Sequence, residues 1–401
     1  MNNKVLIISQ HFYPEIGSAG NRMKNIYQML VDKGYEVSIV TPDPAYPNKN
    51  LYKDSSFWNI EELNHDQENI QRIQTTNRKY SSSIFNRLLF FLEVAFKLSI
   101  KVFKDKNKYD LILVTSPPIF IGIVGLVAKY RFKSKMILDI RDLWPESLKG
   151  VGVFNTPIIL KTFGYIEKLL YKKSDMIIVN SKGFVDYIHK KASIPKNKIV
   201  FLPNSARLNE IKDSVIEEEN FRVIYTGNIG LAQDVDFLKQ LAEKLSFHDI
   251  KLTIIGYGMK SNELKEYIDN EKLNNVKVST PLSRQSCLEE IRKHQVGIVS
   301  LNNKDVFDAV LPGKIVDYMT CKTPIVGSVS GYSKKIIERN KVGYVSEKRD
   351  VEEIYNYIKY LYDNPEKRKI MSENCEKCIR ESFLWEKNID TLDTMIKKLI
   401  K

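Results

Sequence analysis

The strongest constraint on this chain is a rhythm. Short aliphatic runs recur along it, stretches of helical spacing separate them, and the series starts twice. In the first half the runs are "KVLIIS", "EVSIVT", "YDLILVTS", "KMILDI", "SDMIIVNS" and "NKIVFLP". A helix is expected over 21–33, and Gly34 follows it as helix-ending glycines do. The second half opens with "FRVIYTG" and continues through "IKLTIIG", "VKVST", "VGIVSL", "TPIVGS" and "VGYVS", with helices expected at 235–245, 263–271 and around Asp317. Strands apolar on both faces need cover on both faces, and intervening helices supply it in a parallel sheet. The expected fold is α/β, with two Rossmann-like, doubly wound parallel-sheet domains facing a cleft. The expected boundaries are 1–205 for the first domain and 221–385 for the second. A polar, acidic linker, 206–220, joins them, and a last helix, 386–401, is expected to pack back toward the first domain. Ligands of such sheets bind beyond the carboxyl ends of the strands.

The 401 residues suffice for two cores, and 43% hydrophobic against 28% charged residues indicates ordered, globular folding. The four cysteines, Cys287, Cys321, Cys375 and Cys378, make no disulfide framework and point to a reducing compartment. Cys375 and Cys378 form a lone C-x-x-C in a charged helical stretch, too little for a metal site. The apolar run near the start is only "VLIIS", which reads as a strand rather than a signal peptide. The longest apolar segment, "LILVTSPPIFIGIVGLVA", is broken by Ser116-Pro117-Pro118, so no membrane span is expected.

The net charge of 62 − 49 = +13 is uneven. Residues 1–210 carry 31 Lys and Arg against 19 acids, +12, and residues 211–401 carry 31 against 30, +1. A basic half beside a neutral one calls for an anionic partner. No aromatic-interleaved sheet motif supports nucleic acid. A lipid surface fits better. The stretch "RKYSSSIFNRLLFFLEVAFKLSIKVFKDKNK" holds eight basic residues and two acids, and a basic amphipathic helix is expected over 84–104. Such a helix is either mostly buried or lies in a membrane interface. Its five phenylalanines, Phe91 among them, with Arg87, Lys97, Lys101 and Lys104, favour an anionic membrane surface.

The strand-end loops hold the candidate site. Gly17-Ser18-Ala19-Gly20 precedes the first helix, and its backbone can approach an anion. It is neither G-x-G-x-x-G nor a P-loop. "ILDIRDLWPES", after the fourth run, crowds Asp139, Arg141, Asp142 and Glu146 at a strand end, either as an internal ion pair or as a catalytic group that handles an acceptor hydroxyl. "YTGNIGLAQDVD" offers Asn228 and Gln233 as neutral donors. Its Asp234-Val235-Asp236 matches a metal-binding spacing, but acids in a first helical turn read better as capping. Gly256 and Tyr257 end another strand, and Arg284 follows the next, where it could stack or pair; these three are the expected contacts to the nucleotide base. In "AVLPGKIVDYMTCKTP", Gly313 and Lys314 stand at a helix N-terminus suited to a diphosphate, with Asp317 one turn on, placed for ribose hydroxyls. A plain Lys–Asp surface pair is the competing reading.

The segments "QHFYPEIGSAGNR", "TSPPIF", "LDIRDLWPES", "VNSKGF", "LPNSA", "YTGNIGLAQ", "IIGYG" and "LPGKIVDYMTCKTPIVGS", in this order, resemble glycosyltransferase family 4 of the GT-B fold. The resemblance is greatest to the bacterial O-antigen and capsular polysaccharide branch, which includes N-acetylfucosamine transferases, and it covers nearly the whole chain. It implies retaining transfer from a UDP-sugar, with no metal or other cofactor, to a polyprenyl-diphosphate-linked saccharide on the cytoplasmic face of the membrane. It assigns Lys314, Gly313, Gly17 and Gly20 to the donor diphosphate and Asp317 to the ribose. The chain departs from the family in three places. Ala309 stands where the first glutamate of Glu-x7-Glu is expected, with Asp308 beside it. Asn228 and Gln233 replace phosphate-holding cations, and Arg141-Asp142 replaces His-Asp. A UDP-sugar 2-epimerase and a non-catalytic nucleotide-sugar scaffold are the alternative readings.

Overall fold

A computed structural model of the chain describes residues 3–76, 84–153, 156–212 and 221–400. The segment 78–83, the side chain of Phe85 and positions 213–220 of the expected linker lie outside the described residues. The chain divides into two units, Met1–Pro203 with Lys387–Lys401, and Asn204–Glu386.

The first unit contains strands β1 (Lys4–Ile8), β2 (Glu36–Pro42), β3 (Ile70–Ile73), β4 (Leu111–Ser116), β5 (Lys135–Ile140), β6 (Met176–Val179) and β7 (Ile199–Phe201). Its helices are α1 (Ser18–Asp32), α2 (Glu61–His65), α3 (Ile84–Lys104), α4 (Ile119–Phe132), α5 (Glu146–Gly150), α6 (Pro157–Lys173) and α7 (Phe184–Ala192). The sheet is parallel, in the order β3-β2-β1-β4-β5-β6-β7. β4 is buried along its whole length and β1 along all but its first residue, as strands covered on both faces must be.

The second unit contains β8 (Arg222–Asn228), β9 (Lys251–Tyr257), β10 (Val276–Ser279), β11 (Val296–Ser300), β12 (Ile325–Ser328) and β13 (Gly343–Val345). Its helices are α8 (Val235–Phe247), α9 (Ser261–Asn270), α10 (Arg284–Ile291), α11 (Gly313–Thr320), α12 (Gly331–Arg339), α13 (Val351–Asp363) and α14 (Pro365–Ser382). The strand order β10-β9-β8-β11-β12-β13 repeats the first six positions of the other sheet. In both units the winding reverses beside the first strand, at β1/β4 and at β8/β11. That crevice is where an open α/β sheet binds its ligand.

Helix α15 (Trp385–Leu399) closes the chain. Its later part belongs to the first unit, where Asp390 pairs with Lys33 at 2.6 Å and Asp393 accepts from Tyr35 Oη at 2.7 Å. All four cysteines are free, and Cys375 and Cys378 are buried in α14.

Two expectations change. Strand β3, "IQRI", carries two polar residues in four and shows no apolar run, so composition hides it. Helix α3 is two-sided. Phe90, Phe91, Val94, Leu98 and Val102 form a buried stripe, while Leu92, Phe96, Ile100 and Phe103 lie exposed on its other side. Phe91, expected at a membrane surface, is 9% exposed and packs edge-on against Trp144, with ring centroids 5.8 Å apart. It is a core residue. Arg87 is half-buried and Lys97 pairs with Glu93 at 2.7 Å, which leaves Lys101 and Lys104 beside the exposed stripe.

Candidate active site

In the second unit the site is built at the β8/β11 switch. Gly227, the last residue but one of β8, has a φ of +98° that only glycine adopts readily, and the space above it lies against Lys314 Cε, 3.8 Å from where a Cβ would stand. Pro312 begins α11 in extended conformation, so Gly313 and Lys314 occupy the first turn, where N–H groups lack helical partners. The Lys314 stem is partly exposed, but its Nζ is sealed from solvent and has no hydrogen-bond partner among the described residues. It sits 3.5 Å from the centroid of the Tyr225 ring. Burial pulls its pKa down to about 7, although Asp317 and Cys287 push it up. A cation–π contact offsets only part of the cost of burying an ammonium. The Lys–Asp surface pair does not form.

Asp317 is held elsewhere. Arg284, first residue of α10, donates Nη1–H to Asp317 Oδ1 at 2.9 Å, and gives Nε–H and Nη2–H to Glu210 Oε1 and Oε2 at 2.5 and 3.0 Å. Burial raises the Asp317 pKa and Arg284 works against that shift. This corrects the assignment of Arg284 to the base. All three of its guanidinium nitrogens donate to one of two carboxylates, Glu210 and Asp317. At Gly256, the last residue but one of β9, a Cβ would come within 2.3 Å of Ile229 Cδ1, the tip of a side chain. Tyr257 stands half-buried at the end of β9, its carbonyl accepting from Ile229 N at 2.6 Å. Gln233 Oε1 accepts from Gly230 N at 2.9 Å and closes the loop that carries Asn228. Asp234 accepts from Phe237 N at 3.0 Å as the N-cap of α8. Asp308, the neighbour of Ala309, accepts from Ser330 Oγ.

In the first unit, Gly17 precedes α1 with φ +100°, at the β1 end of the switch. Gly20 lies buried in the first turn, and a Cβ there would stand 2.4 Å from the Glu15 carbonyl oxygen. Its requirement is packing rather than ligand approach. Asp139 pairs with Arg22 at 2.8 Å, both fully buried. Arg141 donates Nη2–H to Pro117 O at 2.7 Å, and its Nε is buried without a partner among the described residues. Asp142 accepts from Leu143 N at 2.9 Å and Ser147 Oγ at 2.8 Å, and burial raises its pKa against these two bonds. Glu146 does not join them. It faces Lys191 at 3.6 Å and Tyr187 Oη at 3.5 Å on α7. Among the described residues no group of three or more His, Cys, Asp and Glu could hold a metal ion.

Residues 17–205 match the glycosyl transferase 4-like domain, and residues 206–377 match the glycosyl transferases group 1 family. The chain belongs to these family-4-like glycosyltransferases of the GT-B fold. The transferase is 21% identical over 348 residues to WcaI of Escherichia coli (strain K12), named as a colanic acid biosynthesis glycosyl transferase, covering 82% of this chain and 84% of that one. In structure it resembles sucrose-phosphate synthase from Thermosynechococcus elongatus, with a TM-score of 0.74, 14% identity and 99% of each chain covered. HepE of Anabaena in complex with UDP and glucose has a TM-score of 0.71, 16% identity, and 99% and 100% covered. At such identities the two structures speak for the fold.

Three features of the transferase's two units were not read from its sequence. Glu210 sits in a stretch whose acidity signals a linker, and nothing local marks it as the partner of Arg284. Tyr225 lies inside an apolar strand and reads as core until Lys314 is seen over its ring. His11 Nδ1 meets Glu15 Oε2 at 2.6 Å beside the glycine loop, while Glu15 Oε1 accepts from Ala45 N and Tyr46 N at 2.7 and 2.9 Å. The four-residue spacing of His11 and Glu15 was the available signal.

Proposed function

We propose that this glycosyltransferase moves a sugar from UDP to a polyprenyl-diphosphate-linked saccharide in surface polysaccharide synthesis, retaining the anomeric configuration. An N-acetylated amino sugar such as N-acetylfucosamine is the donor sugar in this reading. The observation that carries it is the buried Lys314 Nζ at the start of α11, which has no hydrogen-bond partner among the described residues. Alone it is poorly solvated, and a diphosphate supplies both the counter-charge and the acceptors it lacks. The first N–H groups of α11, from Gly313 on, add to the grip, and Asp317 accepts from the ribose. Lys314 and the helix N-terminus carry the cationic role here, without a metal. HepE, solved with UDP, supports uridine as the nucleoside.

In the transfer, the bond between sugar C1 and the β-phosphate oxygen breaks and UDP leaves with the electron pair. The acceptor oxygen bonds C1 on the face UDP vacates, and its proton passes to a departing phosphate oxygen. We assign Asp142 to holding the acceptor hydroxyl and Arg141 to the anionic part of that substrate. The exposed apolar stripe of α3 with Lys101 and Lys104 supports peripheral docking on an anionic membrane, where such an acceptor resides.

The test is a screen of UDP-sugars with a lipid-linked acceptor extract, reading UDP release and the product anomer. Acceptor-dependent UDP release with a retained anomer is expected. Consumption of only ADP- or GDP-sugars would overturn the donor, an inverted product would overturn the mechanism, and acceptor-free conversion to an epimer would identify an epimerase.

A further inference from the structure

The chain enters the second unit at Asn204 and leaves it at Glu386, and within that unit the two ends are fastened together. Ala206 N donates to Phe383 O at 2.8 Å and Trp385 N donates to Ala206 O at 2.9 Å. The entering segment then makes one short turn, Leu208–Glu210, before the stretch outside the described residues. Helix α10 grips this turn from both sides. Arg284 at its start forks onto the Glu210 carboxylate, and the buried Arg292 just past its end donates Nη2–H to the Glu210 carbonyl at 2.6 Å. Glu210 Oε2 also accepts from Arg207 N at 3.0 Å. The third guanidinium nitrogen of Arg284, Nη1, donates to Asp317 Oδ1. Asp317 Oδ2 accepts no hydrogen bond from any described residue.

We infer that Glu210 and Arg284 are positioning residues for the donor site: the entering segment, through this carboxylate–guanidinium arm, holds Asp317 turned so that Oδ2 meets the ribose hydroxyls. The inference rests on the ribose reading of Asp317 given above. A carboxylate in a buried position drifts toward its neutral form, and a neutral Asp317 is a poor acceptor. Arg284 works against this drift while the Glu210 charge adds to it, and a guanidinium with Asp317 as its sole partner would take both carboxylate oxygens side by side. Glu210 engages two of the three guanidinium nitrogens and leaves Asp317 a single-point contact on the third. Glu210, six residues after the chain enters the second unit, is therefore part of the donor site.

The experiment is calorimetry of the whole chain with UDP and with its 2′-deoxy and 3′-deoxy forms. The wild type prefers UDP by about tenfold or more over at least one deoxy form, the size of a hydrogen bond to a charged group. Asp317→Asn removes this preference. Glu210→Gln, which keeps the side-chain shape, and Arg284→Lys, which keeps the charge but not the fork, each cut it severalfold while affinity for the deoxy forms holds. A preference unchanged in both variants overturns the inference. An equal loss for UDP and its deoxy forms also overturns it, because that marks a merely structural role. If Asp317→Asn keeps the wild-type preference, the ribose reading itself fails. If Glu210→Gln does not fold, Arg284→Lys decides alone.

Discussion

Lys314 shows how one side chain is set for one ligand. Desolvation brings its pKa to about 7, and the groups around it divide in sign: Asp317 and the Cys287 thiol raise it, while the Arg284 cation is spent on its two acids and the Tyr225 ring face gives weak support. Above pH 7 the ammonium of the free protein is largely neutral, yet a bound diphosphate requires it charged. Binding therefore takes up a proton between about pH 7 and the ordinary lysine range, and affinity falls as pH rises through that window. Titrating UDP at pH 8 in buffers of different ionisation heat should reveal uptake of about one proton per UDP. In Lys314→Arg, which stays charged, the uptake should vanish, and equal uptake in both proteins would assign the proton elsewhere. Gly20 teaches the reverse lesson. Glycine there suggested ligand approach, and the backbone oxygen of Glu15 that a Cβ would strike explains it.

At the scale of elements, α3 carries two apolar faces with different fates. One packs on the unit's core and on Trp144, and the other, Leu92, Phe96, Ile100 and Phe103, stays outside beside Lys101 and Lys104. Each lysine near anionic lipid contributes about 1 kcal/mol, and the apolar stripe adds its own burial. The double variant Phe96→Ser, Phe103→Ser should lose sedimentation with anionic vesicles and keep its UDP affinity. Undiminished sedimentation would remove α3 from the membrane account. The α6–α7 contact has a pH dependence of its own. Glu167 is 2% exposed, it accepts from Tyr171 and Tyr187, and it pairs with Lys191 at 3.3 Å. Burial outweighs these and lifts its pKa to about 7. A folded-state pKa above the ordinary one means stability that is full below about pH 4.5 and lost as pH rises through 7, at most roughly 3 kcal/mol. Between pH 5 and 8 the unfolding midpoint of the wild type should fall relative to Glu167→Gln, and parallel curves would contradict the assignment.

For the whole molecule, two units wound in the same strand order each present a switch point beside their first strand. That much was legible in the alternation of aliphatic runs and helical stretches, because hydrophobic period reports which faces are covered. The loops at the strand ends were legible too, since Gly227, Gly313 and Lys314 sit where a turn or a helix start announces itself. Long-range partners were not. Arg284 was expected near a base because its neighbourhood suggested one, while its partner Glu210 lies 74 residues away. Glu146 looked like a member of an acidic loop until Lys191 on α7 was seen to face it. Pairing across such separations is decided by topology, which local spacing does not encode.

The central claim is that unit 2 binds a nucleoside diphosphate through Lys314. It is tested most directly by calorimetric titration of UDP into the wild type and Lys314→Ala. A charge-assisted contact of this kind predicts a 10- to 100-fold loss, roughly 1.5–3 kcal/mol. An unchanged affinity in a folded variant would contradict it.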